Sequence, residues 1–192
     1  MSAARPLVLV LAAVAAAGLL GLPGTLASWT GSAEVEPGGV TAGRFDLTVA
    51  GADPFDASGL SMTGMLPGSS RAVVATVANT GDADAAYVVA AGIAGSGAAA
   101  FTSAADSGTG LSLTVRAGMG VSSDGITCAG GQLVGTVALR TTVATGGTPR
   151  LLARGAAETI CLQVALAATA PGSLQGLSAG GVFALEGVQV GD

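Results

Sequence analysis

The stretch LPGSSRAVVATVANTGDADAAYVV, Leu66 to Val89, decides how the chain folds. Pro67-Gly68 is a turn pair: proline presets φ and glycine takes the positive φ that follows. The next segment, Arg71 to Ala78, is apolar on both faces, as in a strand at the centre of a sheet. Asn79-Thr80-Gly81 is a second turn, and Ala85 to Ile93 is a second apolar β segment. Two such segments around a short turn predict an antiparallel hairpin.

Further strands lie on either side. In ETICLQVAL, Glu158 to Leu166, Ile160, Leu162, Val164 and Leu166 share one face, and Cys161 and Gln163 share the other. Gly43 to Ala50 puts Phe45, Leu47 and Val49 on one side. Leu111, Leu113 and Val115 alternate with Ser112, Thr114 and Arg116, and Gln132 to Leu139 follows. In the last strand Phe183 and Leu185 have one parity and Val188 and Val190 the other, which predicts a bulge at Gly187. Only Thr148 to Gly155 reads as a short helix, with Thr148 as cap and Gly155 as stop. A turn feeds a strand at Leu66-Pro67-Gly68 and again at Leu152 to Gly155, like two similar corners of a sandwich. The regular spacing of strands and turns predicts an all-β antiparallel sandwich.

Ahead of the strands lie Arg5, an apolar run from Leu7 to Leu22, Pro23-Gly24 and the small residues Ala27 and Ser28. That order is the pattern of a cleaved export signal, residues 1–28, followed by a single domain, residues 29–192. The run is nearly long enough to span a bilayer, so a retained anchor is the alternative. Removing the first 28 of 192 residues leaves 164, enough for one domain with a core. In an exported chain the two cysteines, Cys128 and Cys161, are most simply a disulfide; two free thiols are the alternative if export fails. The bridge would lie on the outer face of the 158–166 strand and pin the Gly-rich loop around Cys128.

The join between signal and first strand resembles the TasA/camelysin group of exported proteins. The matching residues are Gly24, Thr25, Leu26, Ala27, Ser28 and Trp29, then Gly43 to Val49 (GRFDLTV). Leu66 to Val89 and Glu158 to Leu166 also resemble segments of that group, the latter in its actinobacterial members. The resemblance implies a SipW-type signal peptidase as the partner in export. It also implies cleavage after Ser28, with Ala27 as the alternative site, and Trp29 as the mature N-terminus. It narrows the fold to a jelly-roll-like sandwich. The function it implies is a secreted structural protein of the cell surface or extracellular biofilm matrix, whose partner is itself or another matrix protein. The segment Ser32, Ala33, Glu34, Val35, Glu36, continuing to Val40, is then the candidate for assembly: it would add as a strand to the sheet edge of the next subunit.

Composition removes several other functions. The net charge is −5, and −6 once Arg5 is cleaved away. An acidic, lysine-free surface argues against nucleic acid, because phosphate neutralisation needs clustered cations, and against anionic lipid, so the membrane partner is limited to the signal before cleavage. Without histidine there is no serine or cysteine triad and no imidazole ligand for zinc. The metalloprotease activity described for camelysin therefore cannot be carried over, and no enzyme activity and no cofactor are expected. Asp53, Asp56, Asp82, Asp84, Asp106 and Asp124 would permit a paired-carboxylate glycosidase, but each sits in turn chemistry within three residues of Gly, Pro or Ser. Asp82-Ala83-Asp84 is a weak calcium motif. The Gly/Ser/Asp-rich stretches Ala50–Gly59 and Gly95–Gly108 read as flexible loops and make a monomeric binding module, for a protein or glycan, the alternative function.

Overall fold

In a computed structural model residues 46–49 and 58–190 are described; all belong to one unit, Gly43–Asp192. The strands are β1 (Leu47–Val49), β2 (Ser70–Asn79), β3 (Ala85–Ala94), β4 (Leu111–Ala117), β5 (Ser122–Ser123), β6 (Cys128–Ala129), β7 (Gln132–Ala138), β8 (Ala144–Thr145), β9 (Arg150–Leu152), β10 (Ala157–Leu166) and β11 (Gly180–Gln189). One sheet has the order β1-β2-β10-β4-β7. The other has β11-β3-β8, with β9 also on β3. Every pairing is antiparallel. Their inner faces enclose a core that includes Val77, Val89, Leu113, Val115, Ile160 and Leu162. The chain is an antiparallel β-sandwich, not a closed barrel.

The winding is jelly-roll-like. β2 pairs with β10 in the larger sheet, while their chain neighbours β3 and β9 pair in the smaller one. This antiparallel ribbon therefore crosses from one sheet to the other at a single corner, and Asn79 locks it. Asn79 is 1% exposed. Its Nδ2 donates to the carbonyls of Ala83 (2.8 Å) and Leu152 (3.0 Å), and its Oδ1 accepts from Gly81 N–H. Its backbone bonds Ala156 and Gly155 on the second crossing.

That corner corrects the expected hairpin: β2 and β3 lie in different sheets. The amide of Asn79 reaches the second crossing, so the chain after it turns over the core instead of back along β2. The other departures have similar causes. Thr148–Gly155 contributes β9 where a helix was expected, because β3 has a vacant edge there. Leu152 then turns inward at 5% exposed and Leu151 outward at 75%. The 95–108 stretch is not a loop: Ala98–Asp106 is a helix, α1, with Ala98, Phe101, Ala104 and Ala105 buried. Five alanines in its nine residues supply the propensity that the flanking glycines obscured. No bulge occurs at Gly187, since β11 pairs with β3 without interruption from Gly180↔Ala94 to Gln189↔Ala85. Val188 is simply an exposed apolar residue of the outer face. The irregularity lies instead in β4–β7, between Val115 and Arg116.

At the β7 side the two sheets touch through glycine. A Cβ on Gly135 would lie 2.5 Å from Gly146 O and 2.7 Å from Gly147 Cα. Both obstacles are backbone and cannot rotate away. Gly135→Val is expected to destabilise the protein by about 1–3 kcal/mol through overpacking, which urea denaturation would measure; an unchanged midpoint would mean the sheets separate there without cost.

Candidate functional site

β10 carries two sites on opposite faces. On its outer face Cys161, fully buried, is bonded to Cys128 of β6, with Cα atoms 5.8 Å apart. The β5–β6 hairpin thus lies against the outside of the larger sheet. Cys128 N–H donates to Gln163 Oε1 (2.9 Å), Ser123 Oγ to Ala72 O (3.2 Å) and Ser70 Oγ to Ile126 O (2.8 Å). Ala72 N–H donates to Gly125 O, and Arg116 Nε to Gly130 O. Asp124 closes the hairpin turn by accepting from the amides of Thr127 (2.6 Å) and Ile126 (2.8 Å). Those bonds, that of Thr127 first, hold its carboxyl below the usual carboxylate range. The expected bridge, its outer-face position and its pinning of the Gly-rich loop are all present.

On the inner face, at the end of the same strand, stands a polar group that the sequence reading did not single out. Glu158 shares the parity of Ile160 and Leu162, so it points between the sheets. Arg150 of β9 donates to it from Nε (2.8 Å) and Nη2 (2.6 Å), a bidentate pair, and Tyr87 of β3 donates its hydroxyl at 2.5 Å. The side chains of Glu158 and Arg150 are 13% and 23% exposed. Burial pushes the Glu158 carboxyl up, but its bonds to Arg150 and Tyr87 outweigh this and keep it below its ordinary value. Burial, and next the bond to Glu158, push the Tyr87 phenol far above its ordinary value. The group ties β3 and β9 of one sheet to β10 of the other. Chemically it is a closed polar clamp, and the chain's single tyrosine is spent inside it.

The candidate carboxylates are dispersed. Asp84 Oδ1 accepts from Arg154 N–H at the corner, Asp106 pairs with Arg140 at 2.7 Å beside α1, and Asp124 closes its own turn. Among the described residues no three His, Cys, Asp or Glu come together as metal ligands, and no helix is long and apolar enough to cross a membrane. Residues 1–28, the cleavage region Ala27, Ser28 and Trp29, the segment Ser32 to Val40, Asp53, Asp56 and most of the Ala50–Gly59 loop lie outside the described residues. A cavity of about 560 Å³ with a mixed polar and apolar wall opens between the sheets, lined by Met62, Met65, Ile93, Leu111, Leu139 and Phe183 among others.

No protein-family model, no curated protein and no solved structure matches the chain.

Proposed function

We propose that this chain is an exported structural protein of the cell surface or extracellular matrix, of TasA/camelysin type, that assembles by strand addition. The observation that carries the reading is a disulfide-closed antiparallel sandwich whose sheets end in strands with pairing capacity. A disulfide is compatible with an oxidising compartment outside the cytoplasm. β7 ends the larger sheet and, among the described residues, pairs only with β4. In this reading signal peptidase frees Trp29, and Ser32 to Val40 of one subunit adds beside β7 of the next. The contact is heterologous, so it propagates as an open filament. Main-chain hydrogen bonds supply the affinity, and alternate side chains the specificity.

The chain takes no part in catalysis in this reading: without histidine or lysine it lacks imidazole bases and side-chain amine nucleophiles. Deleting residues 29–40 from the mature chain is expected to abolish large assemblies in light scattering and electron microscopy. Assembly equal to that of the intact mature chain sinks the strand-addition mechanism. The cavity beside Met62 and Met65 favours a second reading, a monomeric secreted binding module. A strictly monomeric mature product, with or without residues 29–40, would select it.

A further inference from the structure

The second sheet ends in β11, and this edge lacks the usual protections. Natural edges are blunted by shortness, bulges, proline or charge. β1, β8 and β9 are two or three residues long, and the β4–β7 ladder is irregular. β11 is ten residues long, pairs with β3 in unbroken register, contains no proline and has one charge, Glu186. Among the described residues it pairs with nothing else.

The hydrogen-bond parity shows which groups face outward. Val190 N–H donates to Asp84 O, so the even-numbered residues of β11 turn their N–H and C=O groups toward β3. On the far side of β3, Gly146 N–H bonds Val89 O and Arg140 O accepts from Ile93 N–H, which is the complementary parity. The outward groups of β11 therefore belong to Gly181, Phe183, Leu185, Gly187 and Gln189.

We propose that β11 pairs antiparallel with β11 of a second copy, about a two-fold axis through Leu185. This register is self-complementary. It sets Phe183, whose ring lies over Gly181 of its own strand, opposite Gly187, which presents no side chain to clash with it. On the outer face it sets Val182 opposite Val188, exposed at 43% and 65% in one subunit. That pair continues a row through Ala86 to Leu151, which is 75% exposed. Glu186 falls opposite Ala184, so the two carboxylates do not face each other. Each outward N–H of one copy meets an outward C=O of the other, and the result is one sheet continuous across both sandwiches.

The alternative occupant, the chain's own N-terminal segment, fits less well. That segment enters at Asp46, whose carbonyl accepts from Thr80 N–H at the corner, and β11 also ends at that corner. A strand running into Asp46 along β11 would be parallel to it, in a fold where every pairing is antiparallel. The dimer uses a different edge from the filament contact proposed above, so the two stand or fall separately.

The test is sedimentation of the mature chain with its disulfide intact, and of the same chain lacking residues 29–40. Both are expected to dimerise, with amide exchange slowed at Phe183, Leu185 and Gly187. Gly187→Pro removes an outward N–H that β3 does not use, and Val188→Lys charges the edge. Each is expected to weaken the dimer at least about ten-fold while leaving circular dichroism and melting unchanged. If Gly187→Pro misfolds, Val188→Lys alone decides. A monomer at all concentrations, a dimer indifferent to the folded variants, or a dimer lost on deleting residues 29–40 would each overturn the proposal.

Discussion

Replacing Glu158 with alanine is expected to lower the melting temperature by about 6–12 °C, corresponding to roughly 3 kcal/mol in a domain of this size. The carboxylate takes three hydrogen bonds from two partners on the opposite sheet. Its removal leaves the Tyr87 hydroxyl, on a residue 2% exposed, without that acceptor, and leaves Arg150 without its counter-ion. Arg150 is the more exposed partner and recovers some hydration, so the tyrosine bears more of the loss.

The pH dependence follows with a definite sign at each end. Glu158 is depressed in the folded state, so its contribution is complete above its unfolded value, about 4.3. It is lost as pH falls through the lower folded value. Tyr87 is raised, so its contribution is complete below about 10 and is lost as pH climbs beyond that. Tyr87→Phe should therefore flatten the alkaline limb of the stability curve, and weaken the acid limb only in part, because Arg150 still holds the Glu158 carboxylate. Thermal melts from pH 2 to pH 12 would check both. An alkaline limb unchanged in Tyr87→Phe would mean another group sets it.

Exchanging both cysteines for alanine is the second large effect, about 3–4 kcal/mol from the entropy of a loop closed across 33 positions. The bridge acts mainly on the unfolded chain, whereas in the folded one the hairpin keeps its bonds with Ser70, Ala72, Arg116 and Gln163. Stability should fall while the native circular dichroism spectrum is retained. Urea denaturation of the Cys128→Ala, Cys161→Ala double variant measures the loss. A midpoint equal to that of the parent would mean that the unfolded chain is already compact around this loop.

The two β10 sites were unequally legible. Cys161 opposite Ile160 and Leu162 could be read from alternation alone, and so could the loop it holds. Glu158 carried the same parity signal, but a charged residue at a strand end reads as solvated until a partner is known. Arg150 was hidden because Pro149 and the two leucines after Arg150 mimic a helix start. The jelly-roll winding was implied by the family resemblance and not by any period, since alternation within a strand is the same whichever sheet it joins.

From sequence alone came what depends on local stereochemistry: strands with their inner and outer residues, turns at Gly and Pro, and the pairing of the only two cysteines. Tertiary structure decided what depends on distant neighbours. Asn79 could have closed a hairpin, but two carbonyls, one of them on a crossing 73 residues away, made it a corner. A short run with helical composition became β9 because β3 had an edge to fill. The alanines of 98–105 formed a helix because the buried surface beneath them rewarded it. Local preference amounts to a few tenths of a kcal/mol per residue, about 1 at most outside proline, and a vacant strand edge or a buried face outweighs that.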